Sequence, residues 1–189
     1  TEDGEFIALS TSKRVQNAEI TLDKISVGAT INMIVASCIG KGTVIIRNVA
    51  KEPHVLDLIS FLNICGADIT LYGDYIKVVG VSALKGKRYR IYSDMIEALT
   101  YATCVGAAKG EIRLKNVNYE HILPIIPCLE KTGIAFKYKN GFLQVKSPKR
   151  LVSTSVFTAP YPDFPTDLHP QLSAMLCFCE GISEITETI

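Results

Sequence analysis

A pattern that returns after 67 or 68 residues constrains this chain more than any single motif: Lys41-Gly42 recurs as Lys109-Gly110, and Gly66 recurs as Gly133. Self-similarity at a fixed spacing marks a fold assembled from repeated supersecondary units. In the first copy, apolar spacing predicts a helix over residues 29–39, a strand over 43–49, and a second helix opened by Pro53 and stopped at Gly66. A hairpin follows, with strands 69–72 and 75–79 joined across Gly73-Asp74. The second copy has a helix from Asp94, a strand over 111–117, a helical stretch ending at Gly133 and a hairpin turning at Asn140-Gly141. A third copy opens at Phe164-Pro165-Thr166-Asp167, runs through a helix to Glu180-Gly181 and enters a strand over 182–188. Such a unit cannot cover its own apolar faces, so several must pack together in a mixed α/β (α+β) fold. Residues 5–10 and 19–23 read as the tail of an earlier copy and the chain stops inside the third, so we expect an internal piece of a longer protein.

Local chemistry agrees with these elements. Asp94 with Glu97 three residues on is capping-box-like, Pro53 suits a first helical turn, and Gly66 and Gly133 suit helix ends. Pro124 and Pro127 fall inside the helix predicted over 119–131; each removes a backbone donor and crowds the preceding turn, so that helix is expected to be short, kinked or delayed.

Composition narrows the function classes. Of the 189 residues 48% are hydrophobic, but the apolar runs are short and none reaches the roughly 20 residues that span a bilayer, so the chain reads as soluble, with no membrane partner. The start, Thr1-Glu2-Asp3-Gly4, has no signal-peptide pattern, and a cytoplasmic location is expected. The net charge of +1, with acids and bases interleaved, implies no nucleic-acid partner. Lys85, Lys87, Arg88 and Arg90 are read as a solvated connector rather than a phosphate patch. Six cysteines lack metal-ligand spacing and are expected to be reduced and buried; Cys177 and Cys179, two apart on a predicted helix, would diverge around it. His121 and His169 have no partners at ligand spacing and are expected at the surface.

Three helix starts could carry chemistry. In Asp23-Lys24-Ile25-Ser26-Val27-Gly28 a polar strand end turns into an apolar helix. Ser26 can cap that helix, while free amides, an open Gly28 and the charge of Lys24 suit an anion such as a phosphate. Both readings stand on local grounds. In Thr158-Ala159-Pro160-Tyr161-Pro162-Asp163-Phe164-Pro165-Thr166-Asp167, three prolines in six residues hold an extended loop. Asp167 at its end is either a helix cap or a carboxylate aimed into a cleft as a base. In Lys51-Glu52-Pro53-His54, Glu52 and His54 either stabilise the first turn or meet a ligand.

The order of these motifs, with Asp94-x-Ile96-Glu97-Ala98 and the closing Glu180-Gly181-x-Ser183-x-Ile185-Thr186-Glu187-Thr188, resembles the UDP-N-acetylglucosamine 1-carboxyvinyltransferases of the enolpyruvyl transferase family. The resemblance covers essentially the whole chain and rests most on the proline-rich loop and the final Ile-Thr-Glu-Thr. It implies two domains of β-α-β-α-β-β units arranged as an inside-out barrel, here incomplete: residues 1–92 would close one domain and 93–189 would open part of the next. It implies transfer of the enolpyruvyl group of phosphoenolpyruvate to the 3-hydroxyl of UDP-N-acetylglucosamine, the first committed step toward peptidoglycan, with no metal or organic cofactor. Lys24, Ile25, Ser26 and Val27 would line the UDP site, Asp167 would meet the sugar as the candidate base, and Ile189 would offer it a backbone contact. The family's cysteine loop, Lys-Asn pair and substrate-gripping arginines have no counterpart here, so the chain alone is expected to be inactive. Met95, Leu99 and His54 depart from the family's usual Arg, Gly and acid, which keeps open a non-catalytic paralogue or structural repeat domain that only binds a nucleotide sugar or a protein partner.

Overall fold

The structure is a computed structural model that describes residues 2–3, 6–7 and 14–189. The chain forms two compact units: Thr1–Ala50 with Leu58–Tyr89, and Lys51–Asp57 with Arg90–Ile189.

In the first unit, β1 (Glu2–Asp3) and β2 (Phe6–Ile7) pair antiparallel; the rest of the stretch 5–10 lies outside the described residues. β3 (Ala18–Thr21) then leads through α1 (Val27–Cys38) to β4 (Thr43–Arg47), which pairs with β3 in parallel. α2 (Pro53–Ile64), whose residues up to Asp57 are counted with the second unit, precedes the hairpin of β5 (Asp68–Tyr72) and β6 (Tyr75–Val79), and the four strands lie in the order β3-β4-β6-β5. Alternation in β4 and β6 turns Val44, Ile46, Ile76 and Val78 inward, and α1 supplies Thr30, Ile34, Ser37 and Cys38 from one face. Each of the fully buried aliphatic side chains contributes about 1.5–3 kcal/mol relative to leaving it in water. At one edge of this layer Gly40 and Gly80 approach so closely that a Cβ on Gly80 would stand 2.6 Å from the Gly40 carbonyl carbon.

The second unit repeats the plan. α3 (Met95–Ala108) is followed by β7 (Glu111–Lys115), the short helices α4 (Tyr119–Ile122) and α5 (Ile126–Glu130), and the hairpin of β8 (Ala135–Lys139) and β9 (Phe142–Lys146). The order β7-β9-β8 matches β4-β6-β5. Four further equivalences establish the repeat. Left-handed backbone recurs at Asn48 and Asn116, at Gly66 and Gly133, and at Gly73 and Asn140. The Gly42 carbonyl accepts from the Gly80 amide at 2.8 Å, and the Gly110 carbonyl accepts from the Ser147 amide at 2.9 Å. Thus Gly42 and Gly110 do the same work in both copies. The prolines break the second helix as expected: α4 stops at Ile122, and Pro127 sits in the first turn of α5, where its missing donor costs least.

The third copy is more compressed than the sequence suggests. β10 (Leu151–Val152) and β11 (Ser155–Phe157) lead into a 3-10 turn (Thr166–Leu168), then α6 (His169–Leu176), β12 (Cys179–Glu180) and β13 (Glu184–Thr186). β12 pairs with β10 and β13 with β11, both in parallel. The helix therefore ends at Leu176, not near Glu180, because the chain must reverse in time to pair Cys179 with Leu151. Cys177 and Cys179 accordingly do not share a helix. Nor are the cysteines uniformly buried: all six are free thiols, but Cys104 and Cys177 are exposed. Cys104 lies on the outer side of α3, whose inner face buries Met95, Leu99, Ala102 and Val105 against Leu168, Leu172 and Met175.

Candidate active site

Phe164 and Leu168 are buried in the core of the second unit and anchor the proline-rich loop at both sides of Asp167. Between them the loop is closed by its own backbone: the Ala159 amide donates to the Phe164 carbonyl at 2.9 Å, and the Leu168 amide to the Pro165 carbonyl at 3.0 Å. With its neighbours committed inward, Asp167 is exposed, and its carboxylate has no hydrogen-bond or ion-pair partner among the described residues. It is not a cap: the residue preceding the 3-10 turn is Pro165 and the one preceding α6 is Leu168, and neither helix start carries a side-chain capping bond. Asp167 instead lines a cleft of about 460 Å³ together with Pro53, His54, Asp57, Tyr92, Asp94 and Met95. The two other aspartates there are engaged in structure. Asp94 caps α3 by accepting from the Ile96 amide at 2.7 Å, and Asp57 accepts from the Tyr92 amide at 3.1 Å. Asp167 is the acid of this cleft left available for a ligand.

The closing segment meets the same loop. Thr158, fully buried, donates its hydroxyl to Glu187 Oε1 at 2.7 Å; Thr166 donates to the same oxygen at 3.0 Å, and so does the Ile189 amide at 2.9 Å. His169 Nδ1 lies 3.4 Å from Glu187 Oε2. The Thr158 hydroxyl and the Ile189 amide, followed by Thr166 and His169, hold the Glu187 carboxyl down to about 2 against a smaller upward push from desolvation. The turn that carries Asp167 and the backbone of Ile189 are thus tied to one carboxylate, through Thr166 and the Ile189 amide. The sequence names the Ile-Thr-Glu-Thr motif but gives Glu187 no part in it; its signal was a carboxylate flanked by two threonines at a strand end.

The other candidates stand in the first unit. Lys24 and Ile25 occupy the exposed turn after β3, Ser26 caps α1 by accepting from the Ala29 amide at 3.3 Å, and Val27 begins the helix. A Cβ on Gly28 would meet nothing within 4 Å, so the start of α1 is open to approach. Two expectations about histidines are corrected. His121 is half-buried, with its ring 5.2 Å from that of Tyr92, Nε2 2.9 Å from Asn118, and a pKa lowered by desolvation. His169 is also half-buried, against Glu187. Glu52 is buried with Oε2 unpaired among the described residues, whereas His54 is exposed at the cleft.

The family model for EPSP synthase (3-phosphoshikimate 1-carboxyvinyltransferase) matches residues 3–189. The chain belongs to this family. Within it, the chain is 40% identical over 188 residues to the UDP-N-acetylglucosamine 1-carboxyvinyltransferase of Wolbachia sp. subsp. Brugia malayi, a match covering 99% of this chain and 44% of that protein. The enzyme of the same name from Halothermothrix orenii is 40% identical over 179 residues, covering 94% and 43%. The chain therefore spans less than half the length of these relatives. Among solved structures, the enolpyruvyl transferase NikO from Streptomyces tendae superposes with a TM-score of 0.74 at 20% identity, over 85% of this chain and 39% of that one. EPSP synthase from Acinetobacter baumannii gives 0.63 at 19% identity, over 91% and 40%. These structural likenesses show the enolpyruvyl transferase fold that the sequence resemblance implies. Among the described residues no helix is long and apolar enough to cross a membrane.

Proposed function

We propose that this chain is part of a cytoplasmic transferase that moves the enolpyruvyl group of phosphoenolpyruvate to the 3-hydroxyl of UDP-N-acetylglucosamine, in the peptidoglycan branch of cell-wall biogenesis that supports cell shape and the cell cycle. Residues 1–92 and 93–189 belong to two domains of the same repeated plan. The observation that carries this reading is the unpartnered Asp167 carboxylate facing its cleft at the end of a loop fixed by Phe164 and Leu168. The shared name of the 40% identical relatives supports the choice of substrates.

In this reading Asp167 accepts the proton of the sugar 3-hydroxyl as that oxygen attacks C2 of phosphoenolpyruvate, whose C3 takes up a proton as the double bond opens; the tetrahedral adduct then loses phosphate from C2 and a proton from C3, which restores the double bond. A carboxylate held without competing donors is free for that proton. The Ile189 backbone contacts the sugar. Lys24, Ile25, Ser26 and Val27 line the uridine diphosphate, whose charge suits the open amide end of the 12-residue helix α1.

The test is Asp167→Asn in the intact protein that carries this chain. Turnover with both substrates saturating should fall about 10²- to 10⁴-fold. Near-normal turnover would remove Asp167 from the chemistry. A rise in KM for UDP-N-acetylglucosamine with kcat retained in Lys24→Ala would support the nucleotide site, and an unchanged KM would count against it.

A further inference from the structure

The closing segment does more than end a strand. Glu187 Oε1 gathers three donors from three places: the buried Thr158 hydroxyl on the strand side, the Thr166 hydroxyl next to Asp167, and the Ile189 amide at the end of the segment. The two segments are also tied directly, since the Thr188 amide donates to the Thr158 hydroxyl at 2.9 Å and the Thr188 hydroxyl donates to the Thr158 carbonyl. We propose that Glu187 is a positioning residue, whose carboxylate locks the turn carrying Asp167 to the backbone of Ile189 so that base and sugar contact are held as one rigid unit. This rests on the function proposed above.

The physical case is one of preorganisation. Asp167 has no bond of its own to fix it, so its placement depends on its neighbours. Phe164 and Leu168 fix the depth of the loop by burial, but burial is non-directional and leaves the turn free to tilt. The Thr166–Glu187 bond supplies direction one residue away from the base. An ionised carboxylate accepts only, which makes Glu187 a suitable common acceptor for three donors. Donors with separate acceptors would move separately. A displacement of about 1 Å at a reacting group can cost about 100-fold in rate, so a tie of this kind is worth a large factor without touching substrate.

The experiment is a double-mutant cycle in the intact protein, comparing Glu187→Ala, Asp167→Asn and both together, with kcat and KM read separately. If Glu187 acts through Asp167, Glu187→Ala alone lowers kcat about 10- to 100-fold. In the Asp167→Asn background the same change then costs less than about threefold. Equal losses in both backgrounds, or no loss in the first, overturn the proposal and leave Glu187 a general strut. If Asp167→Asn is itself near normal, the proposed base fails and this inference fails with it, an outcome distinct from equal losses. Should Glu187→Ala not fold, Thr166→Val carries the same cycle, because it removes a single half-buried hydroxyl and keeps the side-chain shape. Glu187→Gln, which keeps an acceptor oxygen, should recover part of the lost kcat; no recovery beyond the alanine variant argues against the shared-acceptor geometry.

Discussion

Thr158 and Thr188 are joined twice, by a bond from the Thr188 amide to the Thr158 hydroxyl at 2.9 Å and by one from the Thr188 hydroxyl to the Thr158 carbonyl. The Thr158 hydroxyl also donates to Glu187, so this fully buried side chain is both acceptor and donor within one small network. Thr158→Val keeps the volume and removes both bonds. We expect it to lower stability by about 1–3 kcal/mol in urea unfolding, with Thr158→Ser close to wild type. A Val variant as stable as wild type would mean that the network contributes nothing to folding.

The same network sets an acid limit. Glu187 has its carboxyl held at about 2, below the ordinary 4.5, first by the Thr158 hydroxyl and then by the Ile189 amide. A depressed carboxyl pKa contributes stability that is fully present above the unfolded value and is lost as pH falls through the folded one. The stability difference between wild type and Glu187→Gln should therefore shrink as pH is lowered from about 5 to about 2. Melting temperatures across that range check it. A difference that stays constant down to pH 2 would mean that these donors do not hold the carboxylate.

Glycines with similar sequence surroundings are expected to behave oppositely. A Cβ on Gly80 would collide with Gly40 backbone at 2.6 Å, and neither backbone has a flexible end to yield. Gly80→Ala should cost about 1–3 kcal/mol. Gly28, with nothing within 4 Å, should tolerate alanine and gain up to about 1 kcal/mol, being inside α1. If a nucleotide phosphate approaches there, Gly28→Ala should nevertheless raise KM for the sugar nucleotide in the intact protein. A stable variant with unchanged KM would remove phosphate from the start of α1.

Much of the fold was legible because glycines and prolines punctuate it. The paired spacings of Gly42 with Gly110 and Gly66 with Gly133 set out the two copies, and Pro127 announced the broken helix. Asn48 and Asn116 escaped notice, since left-handed backbone at an Asn has no signature in a strand pattern until the geometry is seen. The third copy was misjudged in length. Its helix and strands are limited by parallel pairing between β10 and β12, a long-range constraint invisible in local periodicity. Local reading also left Asp167 open between cap and base; neither helix start beside it carries a side-chain capping bond, and the residue is exposed between the buried Phe164 and Leu168. The flanking threonines hinted at Glu187, but its bonds to Thr158 and Thr166 span more than 20 residues and could not be read locally.

Asp94 and Asp167 line one cleft and allow a direct comparison of a capping carboxylate with the proposed base. Asp94 accepts from the Ile96 amide at 2.7 Å and satisfies a donor at the start of the 14-residue α3. Its loss in Asp94→Ala should cost about 0.5–2 kcal/mol of stability, much of which Asp94→Asn should retain. Asp167 makes no such bond, and Asp167→Ala should stay within about 0.5 kcal/mol of wild type. In the intact protein the ranking should invert: turnover should suffer far more from Asp167→Ala than from Asp94→Asn, whose cap survives. Urea unfolding of all three variants alongside steady-state rates makes the comparison. If Asp167→Ala destabilised the protein as much as Asp94→Ala and lost turnover only in proportion, the outward carboxylate would be a structural element and the cleft would have no base at that position.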